Sequence, residues 1–412
     1  MKHIDYKLIL FYLFFVVFGW FNINSASSGM DADAWSISPT AIKQLIFIGI
    51  SFLLAIVILL IDRNVLINTS YLLYGIGTVF LIGVLIFGTK ISGARSWFQF
   101  GSISFQPSEF AKVSVSMALA SFLSNYHVSL KSLKAIIIVC IIILANAILI
   151  LLQPDTGSAL IFAALLIMLY REGLPGWIII TFFSIIFILV AAIAFNWWIA
   201  ALAVLVITAV AFLIFKIKRN LPNILVAVFI CLASTGIAYS SQYAFGKLQS
   251  HQQDRINVLF GKVHDPKGIA YNINQSKIAI GSGKIIPQGY MEGVQTRYKF
   301  IPEQHTDFIF SAIAEEWGFM GCIGLLLAFF FFIKRIFMLA ELQTLKYARI
   351  LGYCLGSIIF FQVFINIGMV MGLLPVIGIP LPFFSYGGSS MICLTLFLFI
   401  FIKIDSQGRE LK

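Results

Sequence analysis

Long apolar segments alternate with short polar connections along almost the whole chain. Most of these segments approach or exceed the roughly 18 residues that indicate a membrane-spanning helix. Together they predict an all-α polytopic bundle of about twelve transmembrane helices, with both chain termini on the same side of the membrane. The predicted spans lie approximately at residues 8–21, 42–61, 70–88, 107–124, 134–152, 157–170, 176–195, 198–215, 223–244, 308–333, 350–373 and 385–403.

Two stretches depart from this regular alternation. The adjacent short spans joined by Phe195-Asn-Trp-Trp198 could be removed without changing the topology elsewhere. We therefore interpret residues 176–215 as an extra hairpin within a single integral membrane domain, residues 1–412. Residues 246–306 form the longest polar stretch, dense in Lys, Arg, Gln and Gly, and are predicted to be one large loop.

The first apolar segment permits two interpretations. Residues 1–7 are short and basic, and Asn24-Ser-Ala-Ser-Ser28 follows the apolar run, as in a secretory signal peptide. We favour the other interpretation, an uncleaved first transmembrane helix.

The distribution of basic residues predicts the orientation of the bundle. With the N-terminus inside, sixteen Lys and Arg residues lie at cytoplasmic ends, against three in the short outer segments, namely Lys43, Lys90 and Arg95. Cytoplasmic loops carry such an excess, whereas long loops are largely exempt from the rule. Both termini are therefore predicted to be cytoplasmic, and the loop 246–306 extracytoplasmic.

The composition agrees with a membrane protein and limits other classes. The chain is 60% hydrophobic and 11% charged, whereas about 25% of residues are charged in soluble globular proteins. The net charge of +11 follows the predicted topology, so no nucleic acid partner is expected. All five cysteines fall within apolar runs, which favours small buried apolar side chains over a disulfide framework or a metal site.

Ionisable groups inside predicted spans are costly and mark candidate functional sites. Pro107 suits the first position of a helix, Glu109 falls in its first turn, and Lys112 lies on the same face. These residues either form a structural ion pair or, with Arg95, line a cavity for an anionic headgroup. Asp155, in a predicted outer turn, is also a favoured helix N-cap residue.

The large loop and its end supply the other charged candidates. The stretches containing Arg255 and Lys277 combine cations with glycines, which suggests phosphate binding, with an ordinary solvated loop as the alternative. Asp307 follows three polar neighbours where the loop meets an apolar helix. It is either the N-cap of that helix or a functional carboxylate. The neighbours are Glu303, His305 and Thr306.

Residues 374–390 contain three prolines and three glycines at the outer end of span eleven, and include Ser385. Irregular backbone at membrane depth is tolerated only when it is buried in protein or lines a cavity, and we favour a cavity wall. All these candidates lie on the predicted outer side, whereas a transporter usually has its polar groups near the midplane.

Five motifs, in order along the chain, resemble the SEDS proteins (shape, elongation, division and sporulation). They are Phe105-Gln-Pro-Ser-Glu109, Gln153-Pro-Asp-Thr-Gly157, Gln275-Ser-Lys-Ile-Ala-Ile-Gly-Ser-Gly283, Pro302-Glu-Gln-His-Thr-Asp-Phe-Ile-Phe310 and Pro380-Leu-Pro-Phe-Phe-Ser-Tyr-Gly-Gly-Ser-Ser390. Gly293-Val-Gln-Thr296 is more similar to the elongation branch, RodA, than to the division branch, FtsW.

This resemblance implies a peptidoglycan glycosyltransferase that polymerises lipid II. The family's catalytic aspartate corresponds to Asp307, and its cavity residues correspond to Arg95, Gln106, Glu109, Lys112 and Asp155. Two features depart from the family. Ser104 stands where relatives often have a basic residue, and the common plan of ten spans lacks the hairpin 176–215.

The resemblance also suggests a mechanism. Asp307 would be the general base for the acceptor 4-hydroxyl, with undecaprenyl pyrophosphate leaving. Cations would stabilise the leaving charge, and a divalent cation such as Mg²⁺ or Mn²⁺ could do the same, although the sequence shows no committed metal site. The predicted substrate-binding residues are Arg95, Gln106, Glu109, Lys112, Asp155, Arg255, Lys277, Glu303, His305, Thr306 and Ser385.

The implied partners are a class B penicillin-binding transpeptidase, other membrane proteins of an elongation complex, and membrane lipid. The predicted location is the cytoplasmic membrane, with the site facing outward. Two alternatives remain open, namely a lipid II flippase and a non-catalytic scaffold for cell-wall enzymes.

Overall fold

The computed structural model describes residues 4–29, 36–91, 93–101, 103–214, 221–247, 250–260, 269–285 and 287–409. These residues fall into two compact units. One comprises the chain up to Gly173 and from Ala270 onward, and the other comprises Leu174–Ile269.

The first half of the larger unit contains eight helices and three short strands. They are α1 (Tyr6–Ser27), α2 (Pro39–Leu60), α3 (Arg63–Asn68), α4 (Ser70–Phe87), β1 (Thr89–Ile91), β2 (Ala94–Phe100), β3 (Ile103–Phe105), α5 (Pro107–Ser124), α6 (Leu133–Leu151), α7 (Thr156–Ile161) and α8 (Leu165–Arg171). A 3₁₀ turn, Phe162–Ala164, joins the last two helices.

The remaining helices follow in chain order. The second unit holds α9 (Gly176–Ala194), α10 (Trp197–Ile214), α11 (Leu221–Lys247) and α12 (Ser250–Leu259), and the first unit resumes with α13 (Ile269–Ser282), α14 (Val294–Arg297), α15 (Ile309–Glu341), α16 (Lys346–Val370) and α17 (Gly388–Arg409). In the second unit, Ile188, Ala192, Ala200 and Ala238 form a small apolar core.

Every predicted span coincides with helical structure. Within the described ranges, nine helices are long and apolar enough to cross a membrane, and Thr156–Arg171 and Trp197–Val210 are shorter apolar helices. The remaining predicted span is α5, which carries a buried ion pair and is itself buried along most of its length. The prediction of an all-α polytopic membrane protein is confirmed. The orientation of the termini and the status of 176–215 as an extra hairpin stay predictions.

Gly318 interrupts α15 near its start. Its backbone has φ 62° and ψ −165°, a conformation that suits glycine, so the helix divides into 309–317 and 319–341. Groups freed by the kink pair with the preceding loop, because Phe319 N donates to Lys284 O at 2.9 Å and Gly289 N donates to Glu316 O at 3.1 Å. The kink therefore ties the first segment of α15 to the loop before it.

The outer connections contain more structure than the sequence indicated. The strands β1, β2 and β3 form an antiparallel sheet between α4 and α5, where only a connection was expected. Three helices, α12, α13 and α14, lie within the predicted loop 246–306. The sequence signal for α13 is a stripe of small or apolar positions every three residues, which the structure buries. The stripe consists of Ala270, Ile273, Ser276 and Ala279.

The five cysteines are all free thiols, each within the described part of the chain. Cys354 and Cys393 are buried as predicted, whereas Cys140 is exposed. The prediction of a buried side chain is wrong for Cys140 because α6 turns that face outward from the protein, and a lipid-facing position favours an apolar side chain just as a buried one does.

Candidate functional site

A polar cluster joins the start of α5 to the start of α7. Gln106 Nε2 donates to Asp155 Oδ2 at 2.9 Å and lies 3.4 Å from Ser158 Oγ. Asp155 Oδ1 accepts from Ser158 N at 3.0 Å, so Asp155 is the N-cap residue of α7, as one interpretation of the sequence held. The same carboxylate also accepts a bond from Ser158 Oγ at 2.8 Å. Asp155 therefore caps the start of α7 and also links α7 to the start of α5.

Ser389, in the first turn of α17, brings a third helix into this cluster. Its hydroxyl accepts from Gln106 N at 3.1 Å and donates to Ser104 O at 3.2 Å. Sequence reasoning selected Ser385 in the same motif instead. Ser385 Oγ accepts from Leu381 N at 2.8 Å and holds a local turn. Because both serines stand in one motif, only their partners in space distinguish the linking residue from the turn residue.

Glu109 and Lys112 form the predicted ion pair. Lys112 Nζ lies 2.7 Å from Glu109 Oε1, and their side chains are 1% and 4% exposed, respectively. Within the described residues, Glu109 Oε2 has no hydrogen-bond partner. A buried charge is costly when unpaired, so each of these residues requires the other.

Arg95 lies in β2, and its predicted contact with an anionic headgroup stays a prediction. It is exposed, and Nη1 lies 3.4 Å from Leu85 O at the C-terminal end of α4, where the helix dipole favours a cation. Its backbone N donates to Gln153 O at 3.2 Å. The residue therefore reaches the cluster through its main chain, while its guanidinium is at the end of a helix.

Asp307 lies in a series of turns, residues 301–308, that leads into α15, and it is half-buried. Phe308 is the N-cap residue of α15, so the alternative interpretation of Asp307 as that N-cap is wrong by one residue. The main-chain oxygen of Asp307 accepts from Asn366 Nδ2 at 2.8 Å, and the same amide donates to Ile379 O at 2.7 Å. Asn366 thus holds the Asp307 turn from α16.

Of the predicted Pro/Gly segment 374–390, residues 374–387 are irregular and residues 388–390 begin α17. A Cβ atom placed on Gly378, whose φ is +77°, would come 3.2 Å from Asp307 Oδ2, so glycine allows this close approach. A Cβ atom on Gly157 would lie 2.7 Å from Ile377 O. Neighbouring residues of one segment therefore contact the Asp307 carboxylate and the start of α7. That the segment lines a cavity stays a prediction.

The polar neighbours of Asp307 stabilise its turn. Thr306 Oγ1 lies 3.2 Å from both the main-chain oxygen and Oε2 of Glu303. Tyr386 N donates to His305 O at 3.0 Å, and the two rings lie 5.5 Å apart. Burial lowers the pKa of His305. Nearby Lys299 lowers it further, while Glu303 opposes the shift.

His305→Gln should reduce the acid sensitivity of the folded protein. Because the pKa of His305 is lower in the folded than in the unfolded chain, the unfolded state binds the proton first as pH falls below about 6.5. The contribution of His305 to the free energy of unfolding is therefore fully present above that pH. It is lost as the pH falls through the pKa of His305 in the folded protein. Melting of purified protein at pH 7.5 and 5.5 should show a smaller difference for the variant. An equal difference would contradict this prediction.

The two predicted loop cations lie elsewhere. Lys277 is on α13, where a Cβ atom on Gly372 would come 2.7 Å from its Nζ, just beyond the C-terminal end of α16. Arg255 lies on α12, in the second unit. Most of Gln275–Lys284 is helical and does not form the irregular loop expected there. Phosphate binding by its cations stays a prediction. Gly283 instead allows close packing on α15, since a Cβ atom there would lie 1.7 Å from Ala314 O.

Within the described ranges, no three His, Cys, Asp or Glu side chains come together in a group that could hold a metal ion. The predicted divalent cation stays a prediction.

Comparisons with known proteins agree over nearly the whole chain. Residues 6–202 and 200–410 match the family of cell cycle proteins that includes FtsW, RodA and SpoVE. The chain is 32% identical to peptidoglycan glycosyltransferase MrdB of Escherichia coli (strain K12), covering 100% of this chain and 95% of the relative. It is 31% identical to peptidoglycan glycosyltransferase RodA of Treponema pallidum (strain Nichols), covering 94% of each.

A solved structure extends the similarity to three dimensions. It concerns the structural coordination of polymerization and crosslinking by a peptidoglycan synthase complex, and one of its chains matches with a TM-score of 0.71, 27% identity and 98% coverage of both chains. The resemblance inferred from the five motifs is confirmed. The chain belongs to the FtsW/RodA/SpoVE family of cell cycle proteins and is a RodA-like member of it.

Proposed function

We propose that this protein is a peptidoglycan glycosyltransferase that polymerises lipid II at the outer face of the cytoplasmic membrane. The observation that carries this proposal is the placement of Asp307. Its half-buried carboxylate is approached by Gly378, and its main chain is held by Asn366. The names of the relatives MrdB and RodA support a glycosyltransferase.

Asp307 is the general base in this proposal. It takes the proton of the acceptor GlcNAc 4-hydroxyl while that oxygen forms a bond to C1 of the donor MurNAc. The bond from C1 to undecaprenyl pyrophosphate breaks, and the pyrophosphate leaves with the bonding electrons. A positioned base contributes roughly 10²–10⁴-fold, so orientation of the two lipid-anchored reactants must supply much of the remaining acceleration.

The cations have different roles in this proposal. The charge of Lys112 is already offset by Glu109 at 2.7 Å. In this proposal the pair fixes α5 and also sets the electric field beside the Gln106–Asp155 cluster. Arg95 and Lys277 are exposed, and they are the better candidates for contact with a pyrophosphate. Glu303, His305 and Thr306 shape the turn that presents Asp307.

A complex with a class B penicillin-binding transpeptidase is part of the proposal. The glycan strand made by this protein would need crosslinking, and the structural relative concerns a complex that coordinates polymerization with crosslinking. The proposal also keeps the outward orientation that the basic residues favour.

The decisive assay uses purified protein with lipid II in detergent micelles. A micelle has no second leaflet, so a flippase has no product there. A polymerase makes glycan strands in micelles, whereas a flippase or a scaffold makes none. Strands are resolved by length on a gel after labelling the lipid II. If well-folded protein makes no strands, alone or with its transpeptidase, the glycosyltransferase proposal fails.

A further inference from the structure

Glu315 is a fully buried carboxylate that the proposed mechanism does not use. It lies in the first segment of α15, before the kink at Gly318. One oxygen accepts from Gln295 N at 2.7 Å, and the other accepts from Thr296 N at 2.8 Å and Thr296 Oγ1 at 2.7 Å. Burying a charge requires such compensation. Glu315 therefore fixes the position of Thr296.

Gly293 allows the loop to approach this carboxylate. A Cβ atom on Gly293 would lie 2.7 Å from Glu315 Oε2, closer than any larger residue could tolerate without displacement. The loop is thus shaped around Glu315 on two sides, by donated hydrogen bonds and by the missing side chain. The hydrogen bonds and the close approach of Gly293 together fix the position of the loop at residues 293–296 relative to α15.

Thr296 connects Glu315 to the Asp307 turn through hydrogen bonds. Its hydroxyl has one proton, which it donates to Glu315, and it accepts from Gln304 Nε2 at 2.8 Å. Thr296 and Gln304 are each 1% exposed, so water does not compete for these bonds. Gln304 lies in the turn, three residues before Asp307. A continuous chain of hydrogen bonds therefore runs from α15 into the turn.

The same turn is held from its other side by α16. Asn366 donates to the main-chain oxygen of Asp307 at 2.8 Å. The Asp307 turn is consequently fixed at two points, one at Gln304 and one at Asp307 itself. A turn held at both points keeps the main chain of Asp307 in place, and this main chain sets where its carboxylate begins.

We propose that Glu315, Thr296 and Gln304 are positioning residues for Asp307. The Thr296 hydroxyl forms hydrogen bonds with both of the other two residues and so connects them. This inference rests on the proposed function, in which Asp307 is the base. A misplacement of about 1 Å far from the chemistry can cost roughly 100-fold in rate. Loss of the Thr296 hydroxyl should therefore lower kcat while leaving the binding of lipid II largely intact.

The test compares Thr296→Val, which keeps the shape but removes the hydroxyl, with Thr296→Ser, which keeps the hydroxyl. We expect Thr296→Val to lower kcat by about tenfold or more, with KM for lipid II within about twofold of wild type. Thr296→Ser should retain most of the activity. Gln304→Met removes the donor from the other end of the same bond and should reproduce the loss if Thr296→Val folds poorly.

The matched control is Ser25→Ala. Ser25 in α1 donates its hydroxyl to Glu316, the neighbouring buried carboxylate of the same helix, and this bond leads to α1 rather than to the Asp307 turn. Its loss should lower the melting temperature without lowering kcat. A purely structural role for Thr296 predicts that Ser25→Ala and Thr296→Val reduce activity only in proportion to stability.

Three results would overturn the inference. They are wild-type kcat in Thr296→Val and Gln304→Met, equal loss in Thr296→Ser and Thr296→Val, or a loss of kcat in Ser25→Ala as large as in Thr296→Val. Failure of the proposed function is read separately, from full activity of Asp307→Ala. If Asp307→Ala is inactive while Thr296→Val and Gln304→Met are fully active, the general-base proposal stands and only the positioning role fails.

Discussion

Asp307→Ala and Asp307→Asn are each expected to lower lipid II polymerisation by roughly 10²–10⁴-fold, the contribution of a positioned general base. Asparagine keeps the size of the side chain but cannot take the acceptor proton at neutral pH. The bond from Asn366 goes to the main-chain oxygen of residue 307, so it survives both substitutions. The measurement is strand formation per minute by purified protein in detergent with labelled lipid II.

The control for this prediction is Asp62→Asn. Asp62 is exposed and caps the short helix α3 through Asn64 N, and asparagine is an equally good cap residue. It should therefore leave both melting temperature and polymerisation unchanged. Full activity of both Asp307 variants, in protein that melts normally, would end the general-base proposal.

Breaking the Glu109–Lys112 pair is expected to have the second large effect. Lys112→Ala leaves the Glu109 carboxylate buried without its cation, a change that typically costs about 3–5 kcal/mol of folding free energy. Melting in detergent should fall accordingly, and polymerisation with it. Arg171→Ala is the matched control, since the pair between Arg171 and Glu341 has both side chains more than 40% exposed. It should cost about 1 kcal/mol or less.

A charge swap separates the structural role of this pair from a functional one. Glu109→Lys combined with Lys112→Glu keeps a buried pair. It places a cation in the first turn of α5, a modest cost of about 0.3–1 kcal/mol. We expect the swapped protein to fold but to lose much of its turnover, because the field beside Gln106 and Asp155 is reversed. Full activity of the swapped protein would show that the pair is structural only.

The candidate site was only partly accessible from the sequence. Asp155, Glu109 and Lys112 were assigned correct partners or roles because their contacts are local, three residues apart in each case. Asn366 and Ser389 were missed, since Asn366 reaches Asp307 across 59 residues and Ser389 reaches Gln106 across 283. Arg95 and Lys277 carried the right charge, but their neighbours in space are helix ends.

The large loop shows the same division. Its polar composition indicated a segment outside the apolar spans, and α13 and α14 form within it because they pack on other elements. Ser276 donates to Val370 O at 2.9 Å, and the N-terminal amides of α14 are bound by Glu315. Glycines that suggested phosphate binding instead permit close helix packing, as Gly283 does against Ala314.

The sequence by itself determined the all-α membrane architecture, the approximate ends of the spans and the identity of Asp307 as the leading candidate. The architecture and the span ends depend on local properties, because an apolar run of sufficient length partitions into lipid whatever its neighbours are. Asp307 became the leading candidate through the motifs that resemble the family, and its role stays a proposal. Only the tertiary structure decided which polar groups meet. Asn366, Gly378 and the chain from Glu315 to Gln304 converge on one turn through packing of distant segments, and burial then makes each hydrogen bond obligatory.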